Sequence, residues 1–358
     1  MFSFTKSPFW QRYQDIIIIF VISNVLIVSF MLLVYFFFEQ LRIHENDPDT
    51  NDELLNQSWL IINRMSTVVL LLSLLTTPFA IYFPAVNDRL SLAIRLLAVA
   101  ENINKFVYAF IALFWYFCES RIDLFRCSDG FNATVFAVND FVNVYDLTDV
   151  AQYCQFLISL SRFLVVSFNG LYFRYTSRWP LAQLIFPYIL RVSMQLAIFQ
   201  FITNAYLYAK LRHFIPAIPY FFTCGLDYAT NRNMKLLKKN GRNTSRAENL
   251  LMIQMMANSM LIWFNYILAY IVGIMLALYF GLNALFVFDA IVDFNQFLFF
   301  HLIASIISAL FLRKSKERPQ TAVKRLSNTA ITIRKPHADS ARIGSATAAN
   351  RTLTYEGK

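Results

Sequence analysis

Glycine is scarce in this chain, with eight residues in 358 against thirty-seven phenylalanines and eighteen tyrosines. That scarcity argues against helices packed through small-residue seams and favours contacts between bulky side chains. Cysteine is also sparse. The four present, Cys118, Cys127, Cys154 and Cys224, fit no CxxC or other metal spacing. The four histidines, His44, His213, His301 and His337, lie far apart. No HxxxD, HExxH, GxSxG or glycine-rich phosphate loop accompanies them. The chain is therefore expected not to be an enzyme, and no cofactor or metal is expected. Charge is low as well: 15% of residues are charged and 57% are hydrophobic, whereas a soluble globule is nearer ~45–50% apolar. With a mean hydropathy of +0.47, the expected class is an all-α, polytopic transmembrane bundle in a lipid bilayer.

The formal charge of +10 falls in particular inter-helix segments and in the tail. Such a distribution reports orientation in a membrane, since basic residues collect on the cytoplasmic side, and it implies no nucleic-acid partner. Apolar spans are expected at about residues 16–38, 65–83, 96–118, 147–166, 181–208, 214–229, 250–278 and 283–312. The first follows Lys6 and Arg12 and is too long for a secretory signal, whose apolar region runs ~7–15 residues; it is expected to be a retained helix starting inside. The acidic segment from residue 39 to 64 belongs outside, and so does the segment 121–146. The sixth span is the weakest, being short and interrupted by Pro216, Pro219 and Asp227. Segment 231–246 has six basic residues and no acid, which places it in the cytoplasm. Three regions result: residues 1–64, an extra helix and acidic loop; 65–312, the membrane domain; and 313–358, a basic tail expected to be disordered. Sequons at Asn56 and Asn132 fall on the outer side and are expected to be glycosylated; the sequon at Asn243 falls inside and is expected to stay silent.

The stretch YCQFLISLSRFLVVSFNGLYFRYTSRW, residues 153–179, runs from an apolar helix through Arg162 into a cluster of Arg174, Tyr175, Arg178 and Trp179. That is the pattern of a helix leaving the membrane on its inner side. The Ser161-Arg162-Phe163 triplet near the inner end resembles the third helix and second inner loop of nematode serpentine chemoreceptors, which are rhodopsin-like seven-helix receptors. Many of them carry Asn where this chain has Ser161. The run from Arg246 to Leu251 is similar to the lead-in to their sixth helix. The resemblance covers about residues 63–318 and implies a seven-helix core with one extra N-terminal helix, packed outside or beside it. It also implies a G-protein-coupled chemosensory receptor of the plasma membrane that binds a small-molecule ligand among the outer helix ends and engages a heterotrimeric G protein inside. A bridge between Cys127 and Cys154 would tie the outer loop to the third receptor helix as in that family.

Charged side chains inside spans cost ~2.5–3.5 kcal/mol on insertion scales, so each calls for a reason. Arg162 either snorkels to the inner interface or forms the receptor switch, with Arg174 and Arg178 beside it at the headgroup level. Arg191 either pairs with an acid, faces a ligand, or lies at a shifted span boundary. Glu101 and Lys105 are four apart on one helix face and neutralise each other. Asp289 and Asp293 also share a face; they are either a water-exposed pair or ligand-binding residues suited to a cationic group. His301 is expected to be a packed or hydrogen-bonded core residue. A membrane transporter or channel remains the alternative, although no paired half-repeats are evident, and a structural membrane protein without a ligand is a third reading.

Overall fold

The computed structural model describes residues 8–43, 52–88, 90–119, 127–168, 179–201, 211, 214–239, 246–280 and 284–313. Every regular element among them is helical. The chain is an all-α bundle, and seven of its helices are long and apolar enough to cross a membrane. In chain order the helices of the described residues are α1 (Pro8–Ile43), α2 (Asp52–Val86), α3 (Leu92–Glu119), α4 (Asp129–Tyr145), α5 (Leu147–Ser167), α6 (Pro180–Phe201) and α7 (Ile218–Lys239). Then come α8 (Arg246–Trp263) and α9 (Ala269–Phe280), joined by a π turn at Phe264–Leu268, and α10 (Ala284–Gln296) and α11 (Ala304–Phe311), joined by a π turn at Phe297–Ile303.

Helices α2 to α11 close on themselves. α2 lies along α3 and, on its other side, against α10 and α11; α3 meets α5 and α6; α5 meets α6 and α7; α7 meets α8; α9 meets α10. α5 is the axis of this ring, with thirteen of its twenty-one residues buried. α1 stays outside the ring and lies in the groove between α7 and α9. Phe30 of α1 is fully buried there, in ring contact with Phe221, Tyr266 and Tyr270 at 5.1–5.6 Å between centroids. α1 thus lies beside the ring and packs against it.

α7 is not among the seven apolar spans. Its side chains explain how it still traverses the bundle: Thr223, Asp227 and Thr230 are buried, and the Thr223 and Thr230 hydroxyls donate to the carbonyls of Pro219 and Leu226 at 2.9 and 2.7 Å. Neighbours α1, α5 and α8 cover these groups, so lipid never meets them. The basic segment after it begins as the last turn of the helix, where Lys238 and Lys239 oppose the helix dipole.

Several boundaries differ from the sequence reading. α2 starts at Asp52, so Asp52 and Glu53 form its first turn rather than a loop, while Glu39 lies on α1 and Glu45, Asp47 and Asp49 lie outside the described residues. The outer segment 121–146 contains a helix, α4, whose start is capped by the Ser128 hydroxyl accepting from the Phe131 amide at 3.4 Å. Its interleaved Asn and Asp residues disguise a narrow apolar stripe, Val135 and Val142, spaced two turns apart. The disulfide joins Cys118 to Cys127, and Cys154 is a buried free thiol on α5. The Cys127–Cys154 bridge that the family resemblance would imply does not form; Cys118, at the end of α3, is nearer along the chain and takes Cys127. Arg174, Arg178, Asn243 and the tail from residue 314 lie outside the described residues.

Gly225 is a point of close approach between α1 and α7. A Cβ there would stand 2.6 Å from Ser23 Oγ and 3.0 Å from the Ile19 carbonyl oxygen, and Ser23 donates to the Phe221 carbonyl at 3.3 Å. A glycine is required because backbone stands in the way of any side chain. Gly225→Ile should destabilise the purified protein by about 1–3 kcal/mol, the usual cost of overpacking. Gly130→Ala, with nothing within 4 Å, should leave the thermal unfolding midpoint unchanged. Equal midpoints for the two variants would mean α1 is not seated against α7.

Candidate functional site

The break between α4 and α5 builds the site. Asp146 adopts a left-handed backbone, φ 43°, which an aspartate tolerates better than most residues, and its carboxylate accepts from the amides of Thr148 and Asp149 at 3.1 Å each. This cap starts α5 at full depth and places Asp149 in its first turn, where the helix N-terminus favours a negative charge. Asp149, 5% exposed, meets Arg191 of α6, 3% exposed, with Nε to Oδ2 at 2.8 Å. The Tyr220 hydroxyl of α7 donates to the other carboxylate oxygen, and Arg191 also donates to Gln195 at 3.0 Å. One carboxylate therefore ties three helices together.

Above this pair lies a cavity of about 480 Å³, within the size range of small-molecule pockets. α3 lines it with Tyr108, Trp115 and Tyr116, α4 with Asn139 and Asn143, and α10 with Asp289, Asp293 and Gln296. Asn265, Tyr266 and Tyr270 complete the wall. Asn265 and Tyr266 sit in the π turn Phe264–Leu268; such a turn widens a helix locally and is frequent at functional sites. The Tyr116 hydroxyl donates to Asp293 at 3.4 Å, and Asp289 is exposed.

Beneath the cavity the bundle holds a second polar layer. Glu101 and Lys105 are both fully buried and pair at 2.5 Å, as their spacing leads one to expect. Gln155 of α5 donates to the second Glu101 oxygen. His301, fully buried, donates from Nδ1 to the Lys105 carbonyl at 3.2 Å, and its Nε2 lies 3.5 Å from the Thr148 hydroxyl. Its ring stacks on Tyr108 at 5.1 Å. His301 is a hydrogen-bonded core residue. Asp227 of α7 accepts from Ser259 at 2.6 Å. At the inner end, Asp15 of α1 accepts from Asn233 at 2.6 Å and stands 3.9 Å from Arg232, while Asn233 also reaches Ser167 at 2.7 Å.

The structure brings Arg191, Asp289 and Asp293 onto one cavity. Arg162 is half-buried near the inner end of α5 between buried Ser161 and Phe163. Asn56 is exposed in the opening turns of α2, and Asn132 stands in the first turn of α4. Sequence reasoning missed Asp146, Asp149, Tyr220 and Asn265. The signal for the first two was present: Asp-x-x-Asp before an apolar run is a helix-start pattern. Tyr220 and Asn265 carry no local signal, because only the packing of α7 and the π turn gives them a partner or a cavity. Compared with known proteins, the chain matches no family model and no curated protein.

Breaking a buried ion pair by removing one partner costs about 3–5 kcal/mol because the other charge is left uncompensated. Arg191→Leu and Asp149→Leu should each lower the unfolding midpoint sharply. The double variant should recover most of the loss. Strictly additive losses in this double-mutant cycle would show that the two side chains do not interact.

Proposed function

We propose that the chain is a G-protein-coupled chemosensory receptor of the plasma membrane, glycosylated on its outer face. The observation that carries this reading is the position of α5. Its outer end bears Asp149 on the cavity, and its inner end bears Arg162, thirteen residues on, about 20 Å along a helix at ~1.5 Å per residue. One buried helix thus connects an outer chamber of ligand size to the inner face, as the resemblance to serpentine receptors requires. The closed ring around α5, with the eighth helix set aside, supports the same reading.

A small ligand in the cavity would act by preferring one of two packings of the bundle. The π turns at cavity level in the α8–α9 and α10–α11 rods are the places where these rods can rewind at least cost, since their hydrogen bonding already departs from the regular ladder. Arg162 would exchange its partners in the closed bundle for contacts with the G protein when the inner ends part. Arg174, Arg178 and the basic segment after α7 would form the rest of that face.

Arg162→Ala should keep surface abundance within a few-fold while abolishing ligand-dependent G-protein activation in a cellular proximity assay. Arg174→Ala and Arg178→Ala should cost far less signal. Glycosidase-sensitive mass shifts should be lost in Asn56→Gln and Asn132→Gln and unaffected by Asn243→Gln; modification at Asn243 would overturn the orientation. Measured current or substrate flux through the parent chain, with no G-protein response across a ligand panel, would replace this reading with a transporter or channel.

A further inference from the structure

The cavity is electrostatically one-sided. Four carboxylates line it, those of Asp146, Asp149, Asp289 and Asp293, and Arg191 is the single basic side chain among the lining residues. Two of the four are already committed. Asp146 spends its charge on the first amides of α5, and Asp149 is neutralised by Arg191 and hydrogen-bonded by Tyr220. Asp289 and Asp293 are not compensated in this way. They stand one helical turn apart on α10, and the only hydrogen bond to either within the described residues is the long one from Tyr116 to Asp293. A second observation is independent of the acids. Asn265 lines the cavity, is 4% exposed, and its amide oxygen has no hydrogen-bond partner among the described residues. A buried amide oxygen left unpaired costs free energy that a donor would recover. The remaining wall, Tyr108, Trp115, Tyr266 and Tyr270, presents aromatic rings, whose faces attract cations.

We infer that the cavity binds a small organic cation with N–H donors, a protonated amine, held by Asp289 and Asp293 with Asn265 as a hydrogen-bond acceptor. The inference rests on the reading of the cavity as a ligand site and names the chemistry of its occupant. An anion would meet carboxylates with no spare counter-charge, and a neutral molecule would leave the two acids uncompensated. A quaternary ammonium group would satisfy the carboxylates and rings while leaving Asn265 unpaired. A bare divalent metal ion would use the acids and ignore the aromatic wall.

The test uses the full chain in nanodiscs of electroneutral lipid, with the unfolding midpoint read at millimolar probe. The probes are 2-phenylethylammonium, ethylammonium and spermidine as amines, 2-phenylethanol and 3-phenylpropanoate as neutral and anionic counterparts, tetramethylammonium, and Ca²⁺. The amines should raise the midpoint, 2-phenylethylammonium most. The neutral and anionic counterparts should not. Asp289→Asn and Asp293→Asn, which preserve shape, should each weaken the amine's apparent affinity about tenfold or more, whereas Asp140→Asn, on the exposed face of α4, should leave it unchanged. Asn265→Leu should weaken the amine more than tetramethylammonium. Stabilisation by the anion, by Ca²⁺ alone, or by none of the amines would overturn the inference, as would an amine effect that survives the double Asp289→Asn, Asp293→Asn substitution. Amine binding without G-protein activation would leave this inference standing and overturn the receptor reading.

Discussion

A charged side chain inside an apolar bundle calls for a partner within the bundle, and two buried ion pairs of this protein answer that requirement. It is met in two ways. Glu101 and Lys105 meet on a single helix, four residues apart, so α3 arrives with its charges already compensated. Asp149 cannot be satisfied within α5 and takes Arg191 from α6 and Tyr220 from α7. The first arrangement makes one helix tolerable in the membrane. The second makes three helices dependent on one another, which is why α7, the most polar of the long helices, is held at the heart of the fold despite its composition.

The same difference marks what could be read from the sequence. Apolar periodicity reveals the helical class and most of the spans, because those depend on contact with lipid, which acts on each segment separately. The Glu101–Lys105 pair is legible for the same reason, being a matter of spacing within one helix. Arg191 stands out as a charge in need of an explanation, yet its partner comes from a different helix, and no pattern in either segment connects them. α4 was hidden by its Asn and Asp residues, which mimic loop composition. The pairing of Cys127 with Cys118, in place of the bridge to Cys154 that the resemblance would imply, had no signal in the residue spacing.

Between the cavity and the far end of α5 lies a buried polar layer. Between Asp149 and Arg162, α5 is lined by Gln155 bound to Glu101 and by Ser159 and Ser161, all buried. His301 bridges the same layer by reaching both the α3 backbone at Lys105 and the first turn of α5 at Thr148. A displacement of α5 along its axis would have to break the Gln155–Glu101 and Thr148–His301 contacts together.

The slot at Gly225 carries a consequence for how the chain is made. Ser23 and its acceptor on α7 are separated by 198 residues, so at ~5–20 residues per second α1 leaves the ribosome on the order of ten seconds or more before α7 exists to receive it. Through that interval α1 is a solitary helix in lipid, long and apolar enough to remain there unaided. α7 is the reverse case, too polar to wait alone, and it emerges with the slot for α1 already cut into its side. The helix that persuades a bilayer least is thus synthesised only after α1 and α5, two of the helices that shield it, have taken their places.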